Sequence, residues 1–178
     1  SFQAISGATI IANLSASNDL VGKADYRRSL VSQQSARIIS GYIYASSGVH
    51  ESTTDMVFGG HAIIAENGAI LKESERFNRD GELIISEIDL EHLLSDREKT
   101  TSFGESIHES HKKEFRIIET TINLPKYSNL SRYIDPNPFV PSNVLKRDER
   151  AKEIFSIQIA ALAKRLESAN IKKLIIGL

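Results

Sequence analysis

The chain has 178 residues, 40% hydrophobic and 25% charged, with a formal net charge of −1, so it can form one core, or one domain plus part of another. This charge predicts neither nucleic acid nor an anionic membrane as a partner, and no apolar run reaches the roughly 18 residues of a membrane span. The absence of cysteine excludes disulfides, thiolate metal sites and thiol nucleophiles within the chain, and we expect a cytoplasmic protein.

The first predicted element is a strand within residues 7–17. Its centre is mostly apolar, which favours a strand buried on both faces. Asn13, Ser15 and Ser17 gather polar side chains at its carboxyl end, where ligands often bind in α/β folds. We therefore expect a functional site there.

A helix is predicted next, over residues 23–40. Apolar pairs at 30–31 and 38–39 lie about two turns apart and share a face, and Gly41 is the predicted C-cap. A strand over 42–45 follows, and the order strand, helix, strand favours a layered α/β arrangement. Side chains expected mainly on the outer face of the helix are Arg27, Arg28, Gln33, Gln34 and Arg37.

The clearest local signal is a hairpin. Asn67-Gly68 lies between two runs with strand character, 61–66 and 69–73, and this dipeptide strongly favours a type I′ turn. Further expected elements are a strand over 82–88 and a short helix capped by Asp89 and running through Leu93 and Leu94. A polar surface loop or partly ordered excursion over 95–114 and a strand over 115–122 are expected to follow.

The last part of the sequence predicts a linker and a new domain. Pro125, Pro136, Pro138 and Pro141 fall close together and indicate extended chain over 126–140. A helix is predicted over 148–169, with Asn170 as its stop and a strand over 174–176 after it. Its apolar stripe is Phe155, Ile159, Leu162 and Leu166.

The residues after the first strand allow two interpretations. Hydroxyls of Ser15 and Ser17 can accept hydrogen bonds from an amino group, and the ammonium of Lys23 can pair with a carboxylate, so together they can bind a small zwitterion. Alternatively, the serines only cap the loop and the lysine is solvated. A serine nucleophile is not supported, since a Gly-x-Ser-x-Gly elbow is absent.

Other candidate sites are weaker. His108 and His111 could share a helix face, but a metal site needs three or four convergent ligands, so we expect solvated surface and no metal. Residues 51–55 could supply paired carboxylates or form a turn network with their own backbone. No lysine or helix start follows Gly59-Gly60 as a phosphate loop requires.

Seven motifs in fixed order resemble one known family. They are Gly-Ala-Thr-Ile-Ile-Ala-Asn-Leu-Ser-Ala-Ser at 7–17, Gly-Lys-Ala-Asp-Tyr-Arg-Arg at 22–28, Glu-Ser-Thr-Thr-Asp at 51–55, and the stretches 66–77, 139–141, 153–158 and 175–177. Together they resemble the nitrilase-like glutaminase domain of glutamine-dependent NAD⁺ synthetases and its continuation into the synthetase domain. The resemblance covers nearly the whole chain.

The resemblance implies an α/β fold of three parts. A partial nitrilase-like α-β-β-α sandwich, the C-terminal half of the glutaminase domain, would occupy residues 1–124. A linker would occupy 125–147. The first helix and strand of an α/β ATP-binding synthetase domain would occupy 148–178.

The chemistry of the family is also implied. A Glu-Lys-Cys triad hydrolyses glutamine to glutamate and ammonia, and the ammonia amidates deamido-NAD with ATP and magnesium. In the family the triad lies before the strand at residue 7, and the ATP loop would follow Leu178. The resemblance thus implies a chain cut at both ends that holds no catalytic residue and no cofactor and is inactive alone.

Two substrate-binding residues can be carried over. Ser17 matches a residue that binds glutamine, and Lys23 matches the position that binds its carboxylate, which is arginine in some members. Lysine keeps the charge but lacks the bidentate fork. The implied partners are glutamine, deamido-NAD, ATP and further copies in a homo-oligomer. The alternative is a stand-alone binding or oligomerisation module of nitrilase-like fold without catalytic residues.

Overall fold

The structure is a computed structural model that describes residues 2–109, 115–121, 130–137, 139–140 and 143–175. The chain divides into two compact units, Ser1–Arg132 and Tyr133–Leu178. The predicted domain boundaries after residues 124 and 147 stay a prediction. No helix in the described ranges is both long and apolar enough to cross a membrane.

The first unit is a mixed α/β fold built on a four-stranded sheet. The spatial order of the strands is β1-β2-β3-β4. β1 and β2 are parallel, and the pairs β2–β3 and β3–β4 are antiparallel. The expected α/β class and the strand-helix-strand unit are confirmed. The strands are β1 (Ile10–Ser15), β2 (Gly41–Ser46), β3 (Ala62–Glu66) and β4 (Ala69–Glu73).

Helices precede, connect and follow these strands. The helices of the first unit are α1 (Phe2–Ile5), α2 (Lys23–Arg37), a single 3₁₀ turn (Val49–Glu51), α3 (Leu90–Lys99) and α4 (Thr101–Glu109). α2 crosses over from β1 to β2 and packs on β2, β3 and β4. The core beneath it contains Val31, Tyr44, Ile63 and Ala65.

Strand β1 is not buried on both faces, and this expectation was wrong. β1 forms one edge of the sheet, and its side chains alternate between exposed and half-buried. Leu14 is 86% exposed. The apolar run correctly indicated a strand, but helix α2 packs on the other three strands, and one face of β1 stays exposed.

Helix α2 corrects two further expectations. Arg27 is buried rather than outward-facing, because it lies on the inner stripe with Ala24, Val31 and Ser35.

Gly41 is not the C-cap but the first residue of β2. Instead, Ile39 turns the chain with a φ of 44°, and the Ser40 and Ile39 amides bond back to the Ser35 and Ala36 carbonyls in a Schellman motif.

The hairpin is confirmed, since Asn67 and Gly68 have φ of 44° and 91°, as a type I′ turn requires.

The prediction of a strand over 82–88 was wrong. That backbone forms neither helix nor strand, although the side chain of Ile88 packs close to Gly41. A short apolar run does not distinguish a strand from an extended segment that packs through side chains.

The region after Asp89 is more helical than expected. The Asp89 side chain accepts a hydrogen bond from the His92 amide, which confirms the cap. α3 and α4 together occupy most of the segment predicted as a surface loop over 95–114, of which 110–114 lie outside the described residues. Residues 115–121 are not a strand.

The described residues of the second unit contain one helix, α5 (Val144–Ser168). Asn143 caps it by accepting from the Lys146 amide, so the helix begins four residues before the predicted start. Asn170, with a φ of 52°, ends it as predicted: the Asn170 and Ile171 amides bond back to the Glu167 and Leu166 carbonyls. Leu174 and Ile175 are not in a strand, and the last three residues lie outside the described ones.

Candidate functional site

The predicted binding residues flank one connection between β1 and α2. Ser15 ends β1, Ser17 follows two residues later, and Lys23 is the first residue of α2. Gly22, with a φ of 80°, provides the turn into the helix, a backbone conformation that favours glycine. Ser17 and Lys23 are both half-buried. We call residues 16–22 the binding loop.

The ammonium of Lys23 is held by the loop itself. Its Nζ donates to the Asn18 carbonyl oxygen at 2.6 Å and to Asn18 Oδ1 at 3.0 Å. An ammonium carries three N–H donors, so one donor remains for a further acceptor, such as a carboxylate. The lysine is therefore oriented by its own loop and not simply solvated.

Asp19 ties the binding loop to the core. Its side chain is only 4% exposed, and its Oδ1 accepts from Nη1 and Nη2 of Arg27 at 3.2 and 3.3 Å. Arg76 Nη1 lies 3.5 Å from the same oxygen. The Asp19 amide also donates to the Val57 carbonyl at 2.7 Å. Both the backbone and the side chain of this loop residue are thus fixed.

The contact continues from Arg27 to His61 and Glu73. Arg27 Nη1 lies 2.9 Å from His61 Nδ1, and His61 Nε2 lies 2.7 Å from Glu73 Oε1. A guanidinium only donates and a carboxylate accepts, so Nδ1 accepts and the proton of neutral His61 is on Nε2. Burial of this fully enclosed ring holds the pKa of His61 below its ordinary 6.5, against the opposing effect of Glu73.

Arg28 completes the network at the surface. Its Nε donates to both carboxylate oxygens of Glu73, at 2.8 and 2.9 Å, and its Nη1 donates to Asp25 Oδ1 at 2.5 Å. The hydrogen bond and the charge of Glu73 raise the pKa of Arg28, with a smaller effect of Asp25. Glu73 therefore lies between a buried imidazole and a half-buried guanidinium.

Sequence reasoning missed this network, including Asp19, His61 and Glu73. One signal was present for Arg27: it follows Ala24 by three residues and precedes Val31 by four, which places it on the inner stripe of the helix. Its partners are distant, since Arg27 and His61 are 34 residues apart. Local periodicity does not reveal such a pairing.

The other candidate sites did not assemble. Within the described residues, no three His, Asp or Glu side chains converge in a way that could hold a metal ion. His108 is in α4, and His111 lies outside the described residues. In the 51–55 segment, Thr53 Oγ1 accepts from the Met56 amide and Ser52 Oγ from the Phe58 amide, which supports the turn network.

Comparison with known proteins confirms the resemblance to glutamine-dependent NAD⁺ synthetases. The enzymes of this name from Mycobacterium bovis, Mycobacterium tuberculosis and Mycobacterium leprae are each 36% identical over 177 residues, which cover 98% of this chain and 26% of each relative. The chain therefore spans about a quarter of the length of these curated relatives. No family model matches the chain.

A solved structure is also similar. It is the glutamine-dependent NAD⁺ synthetase from Cytophaga hutchinsonii, 33% identical, with a TM-score of 0.39, covering 41% of this chain and 12% of that one.

Proposed function

We propose that this chain contributes the glutamine-binding side of a glutamine-dependent NAD⁺ synthetase and so acts in NAD biosynthesis. The observation that carries the proposal is the 36% identity to such enzymes along 98% of the chain. The binding loop lies within this matched region. In the proposed reaction, glutamine is hydrolysed to glutamate and ammonia, and the ammonia amidates deamido-NAD with ATP.

The chemistry of the binding loop supports glutamine as the ligand. Free glutamine is a zwitterion, with an ammonium and a carboxylate on the same carbon. The remaining donor of Lys23 can bind the carboxylate, and the hydroxyl of Ser17 can accept from the ammonium. Lysine offers a point charge where arginine would offer two parallel donors, so we propose modest affinity.

The proposed fold is finer than the observed α/β sheet. We propose that β1 to β4 and α2 form part of a nitrilase-like α-β-β-α sandwich, in which α2 is one of the outer helices. The exposed face and edge of β1 are consistent with a strand that has further packing partners in the sandwich. We propose α5 as the first helix of an ATP-binding synthetase domain.

We further propose that the chain alone does not hydrolyse glutamine. A thiolate is the nucleophile that suits amide hydrolysis through a thioester, and the 178 residues contain no cysteine. The chain would hold the substrate while groups outside it perform the reaction. ATP and magnesium belong to the proposed synthetase step, and no step through them is derived from the described residues.

Titration with L-glutamine tests the proposal. Two-dimensional ¹H–¹⁵N NMR of the 178-residue chain should show saturable shifts confined to amides near the binding loop, and D-glutamine should produce much weaker ones. The same samples, assayed for glutamate, should remain without product. Absence of stereoselective shifts would contradict glutamine binding. Glutaminase activity that co-purifies with the chain would contradict its proposed inactivity.

A second proposal, a stand-alone binding or oligomerisation module, is favoured by exposed apolar side chains. Leu14 on β1 and Phe155 and Ile159 on α5 are 86%, 64% and 52% exposed, and exposed apolar surface favours association. We also propose a cytoplasmic homo-oligomer. Light scattering tests association: a concentration-independent monomer mass would contradict it. Association without glutamine binding would favour the module.

A further inference from the structure

We infer that the network Asp19–Arg27–His61–Glu73 positions the binding loop for its ligand, and that Asp19 is a positioning residue for Lys23. The identity of the ligand rests on the proposed function. The contacts by which the network fixes the loop all lie within this chain and do not depend on the identity of the ligand.

The network links the loop to the most enclosed part of the sheet. Glu73 is the last residue of β4, and His61, which is fully buried, immediately precedes β3. The three contacts from Glu73 to Asp19 measure 2.7, 2.9 and 3.2 Å. Because Arg27 lies in α2 and His61 and Glu73 lie at the two ends of the β3–β4 hairpin, the Asp19 carboxylate is held by groups outside its own loop.

The effect on the ligand site passes through Asn18. This residue precedes Asp19 and supplies both acceptors of the Lys23 ammonium, its carbonyl oxygen at 2.6 Å and its Oδ1 at 3.0 Å. Movement of Asp19 therefore moves the two atoms that orient the ammonium. Asp19 acts on the ligand through Asn18 and Lys23, without touching it, which is why we assign it a positioning role.

Gly59 provides a second, steric constraint on Asp19. A Cβ atom at Gly59 would clash with Asp19 Oδ2 and lie 3.3 Å from Phe77 Cε1. Asp19 Oδ2 is buried and has no hydrogen-bond partner within the described part of the chain. The carboxylate is thus seated against a residue without a side chain, and an alanine at position 59 would displace it without changing its charge.

These features define an experiment on the 178-residue chain. Hydrogen–deuterium exchange should be measured for the wild type, Asp19→Asn, Gly59→Ala, Asp19→Ser and the double variant Asp19→Ser/Gly59→Ala. We expect Asp19→Asn and Gly59→Ala to accelerate exchange of the Asp19 amide, which donates to the Val57 carbonyl, by about tenfold, while amides of β2 and β3 stay protected. Gly59→Ala should add little in the Asp19→Ser background, since the carboxylate it displaces is gone.

The matched control is Gly48→Ala. Gly48 has open space around the position of a Cβ, so in Gly48→Ala the Asp19 amide should exchange as in the wild type. The side-chain ¹³Cε–¹⁵Nζ signal of Lys23, assigned with Lys23→Arg, gives a readout of orientation: it should shift in Asp19→Asn and Gly59→Ala but not in Gly48→Ala. L-glutamine affinity should fall about tenfold in the same two variants.

The outcomes separate the two proposals. Unchanged loop exchange in Asp19→Asn and Gly59→Ala, or equal acceleration throughout the sheet, would overturn the network as the element that fixes the loop. A loosened loop with unchanged Lys23 signal and glutamine affinity would overturn the positioning role. Failure of the wild type to bind glutamine would overturn the proposed function and the ligand, whereas the exchange and Lys23 data would still decide the role of the network.

Discussion

The guanidinium of Arg97 on α3 donates to the carbonyl oxygen of Ile39 at 2.9 Å, at the point where α2 ends. Ile39 has a φ of 44°, which is unfavourable for a β-branched residue. Arg97 Nη2 also donates to the Ile38 and Ala8 carbonyls, at 3.1 and 2.8 Å. One buried cation thus satisfies three carbonyls and stabilises a strained helix end.

Replacing Arg97 with methionine should therefore lower the free energy of unfolding by about 2–4 kcal/mol, because charged hydrogen bonds are lost and buried carbonyls stay unpaired. Burial lowers the pKa of Arg97, but a guanidinium keeps its charge under ordinary conditions. Urea unfolding measures the change. Arg37→Met, an exposed position at the end of the same helix, should change it by less than about 0.5 kcal/mol. Equal effects would contradict the role of Arg97.

The pH dependence of stability should report on His61. Its pKa is lowered by burial, so between the folded pKa and the ordinary value of 6.5 the unfolded state binds more protons. Stability should then fall as the pH drops below about 6.5, by at most about 1.4 kcal/mol at pH 5.5. Above that range this histidine contributes no pH dependence. The charged groups around the ring are Arg27 and Arg28 on α2 and Glu73 on β4.

His61→Gln tests this, because glutamine can donate and accept without titrating. The free energy of unfolding, measured from pH 7.5 to 5.5, should fall less steeply in the variant than in the wild type. The four other histidines are common to both proteins and cancel in the comparison. Parallel curves would show that another group controls the acid sensitivity.

Local chemistry predicted the elements that local interactions determine. The hairpin followed from Asn67-Gly68, whose backbone conformations few other residues adopt. The cap at Asp89 and the stop at Asn170 likewise depend on hydrogen bonds within a few residues. Ser17 and Lys23 were proposed as binding residues from their chemistry and from the resemblance, and both lie at the connection between β1 and α2.

The remaining features depend on distant parts of the chain. Arg28 and Glu73 are 45 residues apart. The buried guanidinium of Arg27 is likewise paired with side chains from outside its helix, Asp19 and His61. The position of β1 at the sheet edge could not be inferred from its apolar residues, since the same run fits a central strand. Periodicity gives the face of an element but not its neighbours.

The contact between Glu66 and Arg132 gives a third prediction. Arg132 donates through Nη1 and Nη2 to the two oxygens of Glu66, at 2.7 and 2.6 Å, and the side chain of Glu66 is 4% exposed. The hydrogen bond with Glu66 raises the pKa of Arg132. Arg132→Met should lower the free energy of unfolding by about 2–4 kcal/mol, because a buried carboxylate is left without its cation.

The double variant Glu66→Gln/Arg132→Met is the control for this mechanism. It removes the buried charge together with its partner, so it should be more stable than Arg132→Met alone. Arg132→Lys keeps the charge but loses the fork, and we expect an intermediate loss of about 1–2 kcal/mol. Chemical unfolding at pH 7 measures all three. A double variant less stable than Arg132→Met would contradict the unpaired charge as the cause.

The last prediction concerns Lys23 and glutamine. If the ammonium binds the carboxylate of the substrate, Lys23→Gln should weaken L-glutamine binding about tenfold, which corresponds to about 1.4 kcal/mol for one charge-assisted contact. Lys23→Arg should bind equally or more tightly, because two parallel donors match a carboxylate. Lys72→Gln changes the net charge equally at an exposed position of β4 and should leave the dissociation constant unchanged. NMR titration measures all three, and equal weakening by Lys72→Gln and Lys23→Gln would reduce the effect to net charge and remove Lys23 from the site.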